Sequence, residues 1–189
     1  MNNQVVKLTL FLLLITGISG LAIGYVNGIT APVIAAQDAE KLLQGYSEVY
    51  PDADTYDGEA VESLDNLIDS VVLAKKDGNT AGVIYTVPTQ GYGGEIRMLI
   101  GMDIAGKKIT GIKILSQTET PGLGGNCTQP WFALRYAGKT AARALRVVKT
   151  EPIADDEVQA ITAATITSTA VAAGVNAAIA DFGFRFSGE

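Results

Sequence analysis

Residues 5–26, VVKLTLFLLLITGISGLAIGYV, are apolar throughout except for Lys7 and a few small polar residues, and no further charge appears until Asp38. Some twenty apolar residues rising about 1.5 Å each cover the roughly 30 Å hydrocarbon core of a bilayer, so residues 1–30 read as a transmembrane anchor in contact with lipid. Gly17, Ser19, Gly20 and Gly24 are spaced for close approach by a second helix. A cleavable signal peptide is the competing reading, with Lys7 as its charged end and PVIAAQD as the cleavage region. The apolar run is longer than the usual core of about 7–15 residues, which favours an uncleaved anchor. Lys7 precedes the span and Asp38 and Glu40 follow it, so the short tail is expected in the cytoplasm. Residues 31–189 would then form an extracytoplasmic domain.

Beyond Pro32 the pattern changes. Ala35, Ala36, Ala39, Leu42, Leu43, Tyr46, Val49 and Tyr50 recur every three or four residues, predicting an amphipathic helix that Pro51 ends. The acid-rich stretch 51–66 reads as a solvated loop or a poorly ordered cap. Two hairpins follow: SVVLAKK and AGVIYTVPT flank DGNT, and EIRMLIGMD and KKITGIKILSQ flank IAG. In the third of these runs Ile96, Met98 and Ile100 alternate with Arg97 and Leu99, which suits a strand with one buried face. After a glycine-rich loop and a mixed segment, 131–148, residues 167–181 predict a helix with Val171, Val175, Ala178 and Ile179 on one stripe. The fold class expected is α+β, a mostly antiparallel twisted sheet with flanking helices behind one N-terminal transmembrane helix.

Charge and composition narrow the chemistry. The 189-residue chain has 20 carboxylates against 14 lysines and arginines, a net charge of −6, and no basic run, so nucleic acid is set aside as a partner. It has no histidine and a single cysteine, Cys127. Histidine-based triads, histidine-ligated metals and iron–sulfur clusters are thereby excluded, and no metal site is expected. Cys127 has no partner cysteine and reads as an ordinary small residue. A redox role would need an organic cofactor.

Three stretches break the ordinary α+β scheme. TQGYGGE, before the third strand, and TETPGLGG, after the fourth, are either tight turns or backbone walls that approach a planar or anionic ligand. Neither is a G-x-G-x-x-G turn or a P-loop in its required setting. The third, ITAATITSTAVAAG, crowds Thr162, Thr165, Thr167, Ser168 and Thr169 at the start of the last helix. One of these hydroxyls could cap that helix, and several together with its first amides could hold a phosphate.

TAATITS resembles the flavin-attachment motif of the FMN-binding domain family, Ser/Thr-Gly-Ala-Thr-x-Thr/Ser, and GYGGEIRMLIGMD and ETPGLGG are similar to that family's two other recurrent stretches, in the same order. Within the family the likeness is to the G-type subunits of Rnf complexes, the ion-translocating ferredoxin:NAD⁺ oxidoreductases; the C-type subunits of the Na⁺-translocating NADH:quinone oxidoreductase are similar but usually longer. The resemblance implies an electron carrier with covalent FMN, esterified through its phosphate to the hydroxyl of Thr165. It implies Thr162, Ala164, Thr167 and Ser168 around the phosphodiester, and Glu119, Thr120, Leu123 and Gly124 along the isoalloxazine ring, with Lys149 a further candidate for the anionic end. The implied partners are the other membrane subunits of the complex and a Mg²⁺-dependent flavin transferase, since an unassisted threonine hydroxyl is a poor nucleophile. Two positions depart from the motif: Ala163 stands where glycine is usual, and Gln159 where an acid is common. Coupling to Na⁺ or H⁺ would belong to partner subunits, because the span holds no ionisable residue beyond Lys7 near its end. The same flavoprotein could instead serve a quinone-reducing or extracellular electron-transfer system, and a membrane adaptor without cofactor is the rival from another class.

Overall fold

A computed structural model of the chain describes residues 3–59, 67–152 and 154–186. The contacts divide it into two units, Met1–Lys41 and Leu42–Glu189. The first unit consists of most of helix α1, Asn3–Val49, a single α-helix that runs through Pro32 and joins the predicted anchor to the predicted amphipathic helix. Proline removes one N–H from the helical ladder, a loss that a 47-residue helix absorbs at one turn. Among the described residues this is the one helix long and apolar enough to cross a bilayer, and the side chains of its apolar run are exposed.

The second unit is built on a five-stranded antiparallel meander in the order β1-β2-β3-β4-β5: Thr55–Glu59, Ser70–Lys76, Asn79–Gln90, Glu95–Asp103 and Lys108–Ser116. The β2–β3 turn has φ of +51° at Asp77 and +79° at Gly78, the two positive angles of a type I′ turn whose twist matches the strands it joins. Pro88 is tolerated in β3 because it lies beyond Thr86, where pairing with β2 has ended.

Each face of the sheet buries a different helix. Tyr85, Val87, Ile96, Met98, Ile100 and Met102 share one core with Val171, Val175, Ala178, Ile179 and Phe182 of helix α3, Thr165–Phe186. Val72, Ala74, Ile84 and Leu99 form a second core with Val49 and Tyr50, against which Leu42 and Tyr46 pack. β4 is therefore buried on both faces at its centre, and Leu99, expected on an open face, is completely buried. Of the predicted amphipathic helix, Leu42, Tyr46 and Val49 pack in this unit while Leu43 is exposed.

Two features differ from the sequence reading. Residues 55–59, expected in a solvated loop, form the edge strand β1. Tyr56 packs on Tyr46, donates its hydroxyl to the Tyr50 carbonyl at 3.0 Å, and is followed by Asp57, which pairs with Lys75 across the ladder at 2.5 Å. The remainder of that predicted loop, 60–66, lies outside the described residues. The glycine-rich loop after β5 and the mixed segment that follows it contain a 3₁₀ turn, Gly124–Thr128, and a short helix α2, Pro130–Ala133. The mixed segment then contributes β6, Arg146–Val148, which pairs in parallel with β7, Glu157–Gln159. Cys127, Phe132, Tyr136 and Leu145 from this stretch complete the α3-side core. α+β is thus the observed class.

Leu99→Ala would open a cavity between the sheet and the last turns of α1. Burial of this size predicts a loss of about 2–5 kcal/mol, read from urea unfolding of the full chain in detergent.

Candidate functional site

The site begins with a turn. Ala164 N–H donates to the Ile161 carbonyl at 3.0 Å, closing residues 161–164, and Ala163 has a φ of +61°. Negative φ at Thr162 followed by positive φ at Ala163 is the sign pattern of a type II turn, whose third residue is normally glycine. An alanine there carries a penalty of about 1–2 kcal/mol. The turn is locked by Ser168, whose hydroxyl accepts from Ile161 N–H at 2.8 Å and donates to the Ala164 carbonyl at 2.9 Å. Arg135, stacked on the Trp131 ring at 4.7 Å, donates to the carbonyls of Gln159 and Ala160 at 2.6 and 3.1 Å and so fixes the strand that feeds the turn.

α3 starts at Thr165, immediately after this turn, and its first intrahelical amide is that of Ser168, bonded to Ala164. The N–H groups of Thr165, Ile166 and Thr167 make no hydrogen bond among the described residues. They are the orphan donors of a helix start, carrying the positive end of its dipole.

Two glycine loops meet at this helix end. Glu119 is 6% exposed, and its two carboxylate oxygens accept from different segments: Oε1 from Gly93 N–H at 2.8 Å and Oε2 from the Thr167 hydroxyl at 2.6 Å. The glycines answer to this packing. A Cβ on Gly93 would lie 2.4 Å from the Thr118 carbonyl oxygen, and one on Gly124 would lie 2.3 Å from Glu119 Oε2 and 2.5 Å from Thr167 Oγ1. The loops 91–94 and 118–125 are therefore turns packed on one another, and their outer surfaces form a wall.

That wall encloses a cleft of about 440 Å³, within the range of small-molecule sites. It is lined by Glu119, Thr120, Leu123 and Gly124 on the second loop, Tyr92 on the first, and Ala163, Ala164, Thr165, Ile166 and Thr167 on the turn and helix. A second cleft of about 330 Å³ shares Ala163 and Thr165 and adds Thr162 and Lys149. Thr165 thus stands between the two. Of the residues singled out in the sequence, Thr165, Ala164, Thr167, Glu119, Thr120, Leu123 and Gly124 come together in the first cleft and Thr162 lies in the second. Ser168 is buried behind the turn and lines neither. Tyr92 and Ile166 were missed; position in a glycine loop was the available signal for Tyr92, and Ile166 had none, being an apolar residue in a helix.

The walls suit a flat, partly apolar, anionic molecule. Leu123, Ile166 and Tyr92 expose apolar surface at the cleft, 44%, 58% and 73% respectively, while the unbonded first-turn amides of α3 favour a phosphate. FMN has both parts, so the residues present fit it. Cys127 is buried nearby, and burial, helped by the negative charge of Glu119, pushes its thiol up to about 11. It is no thiolate at neutral pH.

Residues 91–180 match the FMN-binding domain family. The chain is 34% identical to the G-type subunit of the Na⁺-translocating ferredoxin:NAD⁺ oxidoreductase complex of Acetobacterium woodii, covering 93% of this chain and 90% of the relative. It is 33% identical to the corresponding subunit of the proton-translocating ferredoxin:NAD⁺ oxidoreductase complex of Clostridium ljungdahlii, over 94% and 91%. The crystal structure of Shewanella oneidensis NqrC superposes with a TM-score of 0.55 at 16% identity, covering 75% of this chain and 74% of that one, which shows a shared fold.

Glu119→Ala would strand the Thr167 hydroxyl and Gly93 N–H without an acceptor. The expected loss is about 3 kcal/mol in urea unfolding, with faster amide exchange at Gly93. For Cys127 the raised value means that the unfolded chain loses its thiol proton first, so the contribution of this residue to stability falls between about pH 8.5 and the folded value. The difference in unfolding free energy between the wild type and Cys127→Ala should therefore narrow from about pH 8 to about pH 10.5.

Proposed function

Because the chain belongs to the G-type subunit family of ion-translocating ferredoxin:NAD⁺ oxidoreductases, proteins built on an FMN-binding domain, we propose that it carries its FMN as a phosphoester of the Thr165 hydroxyl. As a member of that family it is an electron-carrying flavoprotein subunit of an ion-translocating oxidoreductase complex. The observation that carries the threonine linkage is the position of Thr165, first residue of α3 and common wall of both clefts.

Bound there, FMN supplies reversible acceptance and release of electrons, which the histidine-free chain with one protonated thiol lacks. The protein's own residues bind and orient. The first-turn amides of α3 stabilise the remaining negative charge of the phosphodiester, with the Thr162 hydroxyl and Lys149 on the side of the second cleft. Leu123 and Ile166 offer apolar contact to the ring system, and the loop 118–125 is held in place for it by the Glu119 hydrogen bonds. Ser168 acts at one remove by fixing the turn that presents Thr165.

A covalent bond keeps the cofactor from diffusing away when the domain faces outward. That orientation is supported by Lys7 ahead of the apolar run and Asp38 and Glu40 behind it. Attachment calls for a transferase, since the chain has no histidine to activate the Thr165 hydroxyl and the one carboxylate lining the two clefts, Glu119, is engaged by Gly93 N–H and the Thr167 hydroxyl. The electron partners are other subunits of the same complex, and the anchor is α1 in the lipid bilayer.

Co-expression with a flavin transferase should add to the intact mass the weight of FMN less one water and leave the denatured band fluorescent. Thr165→Val should abolish both while the fold persists. An unmodified wild type, with the transferase active on a control substrate, would refute the linkage. Ala163→Gly should relieve the left-handed backbone, stabilising the domain by about 0.5–1 kcal/mol and raising the rate of flavin attachment.

A further inference from the structure

We infer that Tyr92 stacks its phenol ring on the isoalloxazine of the flavin carried by Thr165 and so forms an aromatic wall of the cofactor site, an inference that rests on the function proposed for Thr165. Tyr92 sits in the loop 91–94 between glycines that allow it no retreat. A Cβ on Gly91 would fall 2.3 Å from Glu119 Oε1, and one on Gly93 would fall 2.4 Å from the Thr118 carbonyl oxygen, so both flanks are pressed against the second loop. Hydrogen bonds hold the same backbone: Gly91 N–H to the Gly94 carbonyl at 2.8 Å, Gly93 N–H to Glu119 Oε1 at 2.8 Å, and the Thr118 hydroxyl to the Gly93 carbonyl at 3.2 Å.

On this pinned loop the one side chain that projects lines the 440 Å³ cleft and is 73% exposed, and its hydroxyl makes no hydrogen bond among the described residues. A large aromatic ring held in water by a rigid loop forgoes the burial that usually stabilises it. The same cleft presents Leu123 and Ile166, also exposed, so its apolar surface is assembled and uncovered. A flat heteroaromatic ring is the shape that covers a phenol face and aliphatic side chains together, and an electron-poor isoalloxazine against an electron-rich phenol is the favourable pairing. Tyr92 then shields part of the ring from water and selects a planar aromatic cofactor over a merely anionic one.

Phenols in contact with a flavin quench its fluorescence by donating an electron to the excited ring and taking it back; benzene and aliphatic side chains do not. The full chain in detergent, modified by the transferase, is compared with Tyr92→Phe and Tyr92→Leu at equal covalent flavin content measured after denaturation. Folded emission per flavin should rise about fivefold or more in both variants, and all three should emit equally once unfolded. Equal emission from the three folded proteins at equal loading would overturn the stacking and leave the Thr165 linkage standing. A wild type without covalent flavin, alongside an active transferase, would overturn both.

Discussion

A buried carboxylate holds the functional end of this domain together. Glu119 links three segments distant in sequence: its own loop, the GYGG loop through Gly93, and the first turn of α3 through Thr167. Removing such a group from water is expensive unless every lone pair that matters is engaged, and here both oxygens accept charge-assisted bonds beside the positive end of a helix dipole. Gly91 and Gly124 follow from this arrangement, since a Cβ at either would lie 2.3 Å from a carboxylate oxygen of Glu119. The cleft is the outer surface of that packing.

Behind the clamp the sheet separates two duties. One face receives α3 and, with it, the turn that presents Thr165; the other receives the residues around Val49 and Tyr50. α3 approaches closely where its buried side carries small residues, Ala170, Ala172, Gly174 and Ala178, and a Cβ on Gly174 would lie 2.6 Å from Thr89 Cγ2. The helix is thereby set by backbone-to-sheet contact, and its first residue inherits that precision. Ser168 and Arg135 add to it from behind, through carbonyls and amides of residues 159–164, without reaching the clefts themselves.

Much of this was readable from residue pattern. The two hairpins declared themselves through Asp77-Gly78 and the alternation of Ile96, Met98 and Ile100, and α3 through Val171, Val175 and Ile179, because strand and helix periods differ enough to be told apart over short windows. β1 was not readable: its acids suggest solvent, and it forms through Tyr56 and a cross-strand ion pair that only a neighbouring strand supplies. The burial of Leu99 was hidden for the same reason, since alternation shows which residues share a face and not what covers the other. At the site, hydroxyls crowded in one turn looked alike in sequence. Folding sorted them, sending Thr165 and Thr167 to the cleft, Thr162 to its neighbour, and Ser168 inward to hold the turn.

The span of the Glu119 contacts has a bearing on time. Gly93 lies 26 residues before Glu119 and Thr167 lies 48 after it, whereas the hairpins of the meander close over a few residues each. Contacts across such distances pay their loop-closure entropy late, after local hairpins have formed. The cleft is therefore among the last parts of the domain to take shape. On the function proposed for Thr165, the ester holds the flavin whether or not the chain is folded, whereas a chain that grips the cofactor ring has already completed its core, so an ordered ring reports a finished domain.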